Sequence, residues 1–311
     1  MIFTLSKWDK GGDEWFRVIS DVIFSPAKLN LFLAITGRRA DGFHDLVSVV
    51  APVKFGDTLR VERTLDGKFT LECDDPSVPR DGTNLILKAA KAFIGATGEG
   101  LGARFVLEKR IPMGAGLGGG SSNAVAALQG LNRLAERPLG SEAMLNLAVK
   151  LGSDCPLFLH GKPLVMRGRG EQIELLETQS GARLSGRRVL IFKPSFGIAT
   201  AWAYGQMIAV APASYLCVGE AEAKLGHWRK SDAPAEDLLY NNMERAAFEK
   251  YVAMPALLER LRSEFGLAVA MSGSGSACFA LLRHDSPVNS VVGRIQESWG
   301  RHTFILETEI V

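Results

Sequence analysis

Over residues 22–35 apolar positions first alternate with polar ones and then run without a break, the pattern of a strand entering a core. Residues 47–55, 58–63 and 69–73 read as further strands, with turns predicted at Phe55-Gly56-Asp57 and Asp66-Gly67. The period then lengthens. Over 84–97, Leu85, Ala89, Ala92 and Phe93 share one helical face, and Gly98 ends the helix. Residues 104–108 form a strand, and 121–135 a helix with Ala124, Leu128, Leu131 and Ala135 inward. Arg137-Pro138-Leu139-Gly140 turns the chain into a second helix, 141–151, with Ser141 as N-cap and Gly152 beyond its end. After a short apolar segment at 155–159, residues 163–177 predict a hairpin around Arg167-Gly168-Arg169-Gly170, and 189–193 a strand. The Ala/Gly-rich region 205–235 reads as loop or irregular helix. Helices fit 238–251 and 256–265, and strands 267–271 and 277–283 flank Ser272-Gly273-Ser274-Gly275-Ser276. A last helix starts at Ser286-Pro287 and ends near Trp299. Strands and helices are grouped rather than alternating, which predicts an α+β fold.

Composition narrows the class. With 311 residues, 47% hydrophobic and 23% charged, the chain can form one large or two ordinary globular domains. A net charge of +2 gives no electrostatic case for nucleic acid. No window approaches the roughly 18 apolar residues of a membrane span. The first twenty residues mix Lys7, Asp9, Lys10, Asp13, Glu14 and Arg17 with aromatics and lack a signal peptide's apolar core, so a cytoplasmic protein is expected. Cys73, Cys155, Cys217 and Cys278 are scattered, which predicts reduced, mostly buried thiols and no zinc site. Cys155 follows Asp154 but reads as a small apolar filler.

The densest chemical signal is Pro112-Met113-Gly114-Ala115-Gly116-Leu117-Gly118-Gly119-Gly120-Ser121-Ser122-Asn123, between a predicted strand and a predicted helix. Glycines take positive φ and let backbone approach a bulky anion, and a helix start aims unpaired N–H groups at it. The loop therefore suits phosphate. Gly114, Gly116 and Gly119 fit a dinucleotide fingerprint loosely, with Glu136 as a candidate ribose acid, but strand, loop, helix, helix is not that unit. The Gly-Lys-Ser/Thr of a P-loop is also missing. Lys28 and Asn30 stand two apart in Ser25-Pro26-Ala27-Lys28-Leu29-Asn30, hence on one face of a strand. A cation and an amide in an apolar strand need a polar or anionic partner, unless the lysine snorkels from an edge. Asp154, at a helix junction, reads on spacing alone as an N-cap.

Together these segments resemble the three signatures of the GHMP kinases: Pro26-Ala27-Lys28-Leu29-Asn30-Leu31, the loop 112–122, and residues 271–278. Within that superfamily, 26–46 (with Gly37-Arg38-Arg39-Ala40-Asp41-Gly42-Phe43-His44), the triple glycine, and Leu151-Gly152-Ser153-Asp154-Cys155-Pro156 are similar to the branch whose acceptor is 4-diphosphocytidyl-2-C-methyl-D-erythritol, on the non-mevalonate route to isoprenoids. The resemblance runs from about residue 22 to 283 or beyond. It implies a two-domain GHMP-kinase fold, 1–160 binding ATP and 161–311 carrying much of the substrate site, with the active site in the inter-domain cleft.

By that resemblance Asp154 matches the catalytic base for the acceptor's 2-hydroxyl, Lys28 the catalytic lysine, and Asn30 the residue that positions the hydroxyl. The loop, with the Ser121 and Ser122 hydroxyls, wraps the nucleotide phosphates, and Mg²⁺ rides on them with no protein metal site. Asn84 matches a residue near the adenine pocket and is equally readable as a helix cap. At the cytidine end, Phe43 and Tyr204 match stacking aromatics, the Tyr204 alignment being loose enough for a core tyrosine. His44 matches the residue reading the base edge, and Thr200 a nearby polar contact. Ser274 and Gly275 match positions near the substrate's polar end or the transferred phosphate. Residues 1–20 and 211–232 carry no correspondence. Two alternatives stand beside this branch: another GHMP kinase, for mevalonate or homoserine, which needs no cytosine site, and a non-catalytic binding protein on the same scaffold. Oligomeric state is not written in the sequence.

Overall fold

The computed structural model describes residues 2–6, 16–98, 100–135 and 139–311. Glu136, Arg137 and Pro138, like Lys7, Asp9, Lys10, Asp13 and Glu14, lie outside them. The chain forms two compact units interleaved in sequence: Met1–Pro26, Gly56–Ile111 and Gly119–His160, and Ala27–Phe55, Pro112–Gly118 and Gly161–Val311.

In the first unit β1 (Ile2–Ser6) pairs antiparallel with the start of β2 (Phe16–Arg38). The end of β3 (His44–Thr64) runs through this unit, followed by β4 (Phe69–Cys73), α1 (Leu85–Thr97) and β5 (Gly102–Glu108). β5 pairs antiparallel with β3 from Thr58↔Glu108 to Thr64↔Gly102, and parallel with β4. α2 (Gly119–Leu134), α3 (Ser141–Leu151) and α4 (Leu157–His160) complete the unit. α1 and α2 pack together, and Ala124, Leu128, Leu131 and Ala135 are all buried, as their spacing predicts. Asn84 caps α1, its Oδ1 accepting from Ile86 N at 2.9 Å, and Gly98 ends it at φ 69°. Ser141 is not a cap; Gly140 holds that position without a side-chain bond.

One expected turn is absent. β3 runs straight through Phe55-Gly56-Asp57. A Cβ on Gly56 would stand 2.2 Å from the Ser25 carbonyl oxygen, so the glycine permits close backbone approach rather than reversal.

In the second unit β6 (Leu164–Gly168) and β7 (Gln172–Leu175) form the predicted hairpin, and β6 continues onto the start of β3. α5 (Thr178–Ala182), β8 (Arg188–Lys193) and α6 (Thr200–Ala209) follow. Much of 205–235 is regular helix rather than loop: α7 (Val218–Lys230) buries Ala221, Leu225 and Trp228, a narrow stripe that its many alanines and glycines hide. The helix expected from 238 is interrupted. β9 (Tyr240–Asn241) pairs parallel with β2 at Phe32↔Tyr240, and α8 (Met243–Lys250) begins only after it. α9 (Ala253–Phe265), β10 (Ala268–Met271), β11 (Cys278–Leu281), α10 (Val288–Trp299) and β12 (Phe304–Glu309) close the chain. Ser286 does not cap α10; its hydroxyl accepts from Arg283 N. The antiparallel sheet β10-β11-β8-β12 packs on a core that includes Phe192, Met207, Leu258, Leu261 and Ile295. β12 was not apparent from the sequence pattern.

Among the described residues no helix is long and apolar enough to cross a membrane. All four cysteines are free; Cys155 and Cys278 are buried, whereas Cys73 is half-buried and Cys217 exposed, so the expectation of mostly buried thiols holds for two.

Candidate active site

The second unit brings three distant segments together. β2 enters it at Ala27, and its regular alternation turns Lys28 and Asn30 to the same side, both buried at 3% and 6% exposure. The Lys28 ammonium donates to Asn30 Oδ1. Asn30 Nδ2 donates to Ser48 Oγ at 3.0 Å, and Ser48 Oγ donates to Phe32 O at 2.6 Å. This chain of bonds fixes the amide, so its oxygen faces the ammonium.

The glycine loop is tied to the same strand by its backbone: Lys28 N donates to Leu117 O at 3.0 Å. Ala115 and Leu117 are buried anchors, while Met113 and Gly114 are exposed and Pro112 is half-buried. Gly114, Gly116 and Gly118 adopt φ of 61°, 75° and 72°, which side-chain-bearing residues disfavour. At Gly116 a Cβ would also fall 2.2 Å from Ser272 O, so the two glycine loops lie backbone against backbone. Ala277 N donates to Ala115 O at 3.0 Å across the same contact.

Ser272, which motif reading did not single out, joins all three segments. Its hydroxyl accepts from Asn30 N at 3.3 Å and donates to Gly116 O at 3.1 Å. A Cβ on Gly273 would meet Asn30 Oδ1, Gly116 O and Lys28 Nζ at 3.2, 3.2 and 3.3 Å, so the third motif touches the ammonium directly. Asn241 holds that loop from behind, donating to Met271 O at 2.8 Å and Gly273 O at 2.9 Å. Its signal in sequence was only a polar residue where a helix had been expected. Ser274 Oγ and Thr200 Oγ1 are 3.1 Å apart, and Gly275 lies in the same loop at φ 81°.

His44 begins β3 in the same unit, and Phe43 directly precedes it. His44 is buried, its Nε2 3.2 Å from Tyr215 Oη and its ring 4.6 Å from that of Tyr204. Burial, then the nearby Arg38 charge, holds its pKa below the ordinary imidazole value, so the ring is neutral at pH 7. Tyr204 therefore leans on His44, and Tyr215 was missed because it falls in a stretch without correspondence. Phe43 is 52% exposed, with the Arg169 guanidinium 4.4 Å from its ring centre.

In the first unit α2 starts at Gly119-Gly120, with Ser121 and Ser122 in its first turn. The Ser122 hydroxyl is buried and accepts from Ser25 Oγ at 2.8 Å; Ser121 is half-buried and partners the Cys155 thiol. Burial pushes that thiol up to about 12, which keeps it protonated and agrees with its reading as filler. A Cβ on Gly152 would lie 3.9 Å from Ser121 Oγ, so the turn that carries half-buried Asp154 stands at the start of α2. Asn84 sits at the start of α1 in this unit, its Nδ2 donating to Pro79 O at 2.6 Å.

Asp57, read from sequence as a turn residue, anchors the base of the glycine loop. It is fully buried and pairs with Lys109 Nζ at 2.7 Å. Its Oδ1 accepts from Arg110 N and Ile111 N at 2.6 and 2.7 Å, and its Oδ2 from Asn123 Nδ2 at 2.9 Å. One carboxylate thus fixes both the strand end that precedes the loop and the helix that follows it. Among the described residues no group of three or more His, Cys, Asp or Glu side chains converges to hold a metal.

Comparison with known proteins places this arrangement. Residues 84–162 match the model of the GHMP kinases N terminal domain, and 227–301 that of the GHMP kinases C terminal. A 4-diphosphocytidyl-2-C-methyl-D-erythritol kinase of Methylacidiphilum infernorum (isolate V4) is 38% identical over 93% of this chain and 96% of its own. One from Prochlorococcus marinus (strain MIT 9303) is 36% identical over 89% of each. The crystal structure of a 4-(cytidine 5'-diphospho)-2C-methyl-D-erythritol kinase aligns at TM-score 0.71 and 32% identity, covering 93% of this chain and 99% of that one. Methanococcus jannaschii mevalonate kinase, at TM-score 0.72 but 13% identity over 94% of this chain and 99% of its own, shares the fold alone. The chain belongs to the GHMP kinases and, within them, to the family of the 4-diphosphocytidyl-2-C-methyl-D-erythritol kinases.

Proposed function

We propose that the protein transfers the γ-phosphoryl group of ATP to the 2-hydroxyl of 4-diphosphocytidyl-2-C-methyl-D-erythritol, a cytoplasmic step on the non-mevalonate route to isoprenoids. The observation that carries this reading is the buried Lys28–Asn30 pair, bonded to both glycine loops through Leu117 O and Ser272 Oγ. A buried ammonium facing an amide oxygen and glycine backbone suits charge that develops on a transferred phosphoryl group.

In this reading residues 1–160 supply the nucleotide contacts and, through Asn30, Phe43, His44 and Asp154, part of the acceptor side, and 161–311 supply the rest of the acceptor side. The loop 112–118 and the Ser121 hydroxyl cradle the triphosphate, and Asn84 lies toward the adenine. Ser122, whose hydroxyl is engaged with Ser25, contributes through its backbone N–H in the first helical turn. No described side chains converge to hold Mg²⁺, so it would arrive on the nucleotide phosphates and would supply charge compensation there.

Asp154 accepts the proton of the 2-hydroxyl as its oxygen bonds to the γ-phosphorus and the bond to the β-phosphate oxygen breaks. Lys28 stabilises the charge on the phosphoryl oxygens, and Asn30 orients the attacking hydroxyl. Ser274, Gly275 and Thr200 face the acceptor's polar end. Phe43 stacks on the cytosine, neutral His44 reads its edge, and Tyr204 backs the histidine. The test is ADP release with ATP and three acceptors. Turnover is expected with the cytidylylated methylerythritol and not with mevalonate or homoserine. Turnover with either of those moves the chain to another substrate class, and none with any acceptor leaves a binding protein.

A further inference from the structure

We infer that Arg169 receives the diphosphate of the acceptor, and that the Phe43 ring holds it in place for that contact. The inference rests on the reading of a cytidine-diphosphate-linked acceptor and adds a residue to it.

Sheet register puts Arg169 where it is. β6 pairs antiparallel with the start of β3, Val47 opposite Arg167 and Leu46 opposite Gly168, so the hairpin tip projects beside residues 43–45. The tip is locally fixed. Gly168 and Gly170 take φ of 65° and 113°, Gly170 N donates to Arg167 O at 3.0 Å, and Arg169 N donates to Glu171 Oε2 at 2.6 Å. A Cβ on Gly168 would stand 2.5 Å from Glu171 Oε1, so that position must stay glycine for the carboxylate to close the turn.

The two arginines of the tip differ in their partners. Arg167 is matched by Glu174 at 2.7 Å and Glu222 at 2.6 Å. For Arg169 the nearest carboxylate among the described residues is Asp41 at 4.0 Å, beyond hydrogen-bonding reach. Asp41 is itself engaged, accepting from Arg39 Nε at 3.2 Å and from Phe43 N at 3.1 Å. The guanidinium carbon lies 4.4 Å from the Phe43 ring centre, and a guanidinium's N–H groups form the planar fork that recognises phosphate. An exposed aromatic ring beside a guanidinium held only by a 4.0 Å ion pair to Asp41 matches a base joined to phosphate: the ring takes the base, the fork the first anionic groups beyond the ribose.

Binding of cytidine, CMP and CDP to the full chain, measured by calorimetry at low salt, tests this. The wild type is expected to bind CDP about tenfold or more tighter than cytidine, and Arg169→Met to lose that increment while keeping its affinity for cytidine; a tenfold change is the size of one charge-assisted contact. Arg169→Lys should retain part of the increment. Phe43→Leu should weaken all three ligands together and also shrink the increment, since the guanidinium loses the ring that places it. In turnover, Arg169→Met should raise KM for the cytidylylated acceptor about tenfold without changing KM for ATP. Unfolding of each variant in urea at the wild-type midpoint excludes a merely structural effect. CDP binding that is undiminished in Arg169→Met overturns the inference alone. Failure of the wild type to bind any of the three overturns the cytidine reading and the inference with it.

Discussion

At the scale of single residues, the reaction divides into groups that touch the reacting atoms and groups that hold those. Asp154 belongs to the first kind under the proposed mechanism. Asp154→Asn keeps size and hydrogen-bonding shape but cannot take a proton, so kcat should fall about 10²- to 10⁴-fold, the usual worth of a general base. KM for ATP should move little, because the amide still fits. Turnover within threefold of wild type would remove Asp154 from that role. His44 makes a prediction about pH. Its pKa is lowered chiefly by burial, so below about pH 6.5 the unfolded chain binds a proton that the folded chain resists. The unfolded state then holds more protons, and stability falls as pH falls through that window. Urea midpoints at pH 7.5 and 5.5 should show the drop in wild type and a smaller one in His44→Gln; equal drops would mean that this ring does not couple to folding.

At the scale of elements, the lesson lies in β3. Gly56-Asp57 has the composition of a turn, and local composition is what sequence patterns report. The strand nonetheless continues, because Gly56 lets the Ser25 backbone approach and Asp57 is neutralised by partners that come from 109–111 and 123. None of these partners is near in sequence, so the role was invisible. The same holds for Ser272 and Asn241, whose functions are hydrogen bonds to residues far along the chain. By contrast α1, α2 and the 163–177 hairpin were legible, since their periodicity and end signals are local. The three segments 26–31, 112–122 and 271–278 stood out too, because dense glycine runs and an ammonium inside an apolar strand are unusual, and the structure brings residues 28–30, 115–117 and 272–277 together. Asp57 yields the prediction for this scale. Asp57→Asn leaves the Lys109 ammonium, 3% exposed, without its counter-charge, which costs about 3–5 kcal/mol in comparable buried pairs. Urea denaturation should show a loss of that order and, since the carboxylate fixes the base of the glycine loop proposed to hold ATP, KM for ATP should rise. A loss below about 1 kcal/mol would show that Lys109 finds water or another acceptor instead.

At the scale of the whole molecule, the site is assembled from residues 28–30, 112–118 and 271–277, joined only when the chain has folded. Such a site is unfavourable while empty. It buries a lysine, and it gathers glycines whose conformational freedom in the unfolded chain is large. A ligand that fits this site binds the folded state and not the unfolded one, so occupancy should add stability. At a ligand concentration one hundred times Kd the gain is about 2.7 kcal/mol. Unfolding entropy near 2.1 cal/mol/K per residue gives, over 311 residues, about 0.65 kcal/mol/K, and hence a rise in Tm of about 4 °C. ATP with Mg²⁺ and the cytidylylated acceptor should each produce a shift of this size, whereas mevalonate or homoserine should produce none, because neither carries a base for Phe43 or an anion joined to one. Thermal scans of the full chain with each ligand decide the matter: an equal rise with mevalonate would mean that the acceptor end selects for the hydroxyl alone and that Phe43 and His44 do not bind cytidine.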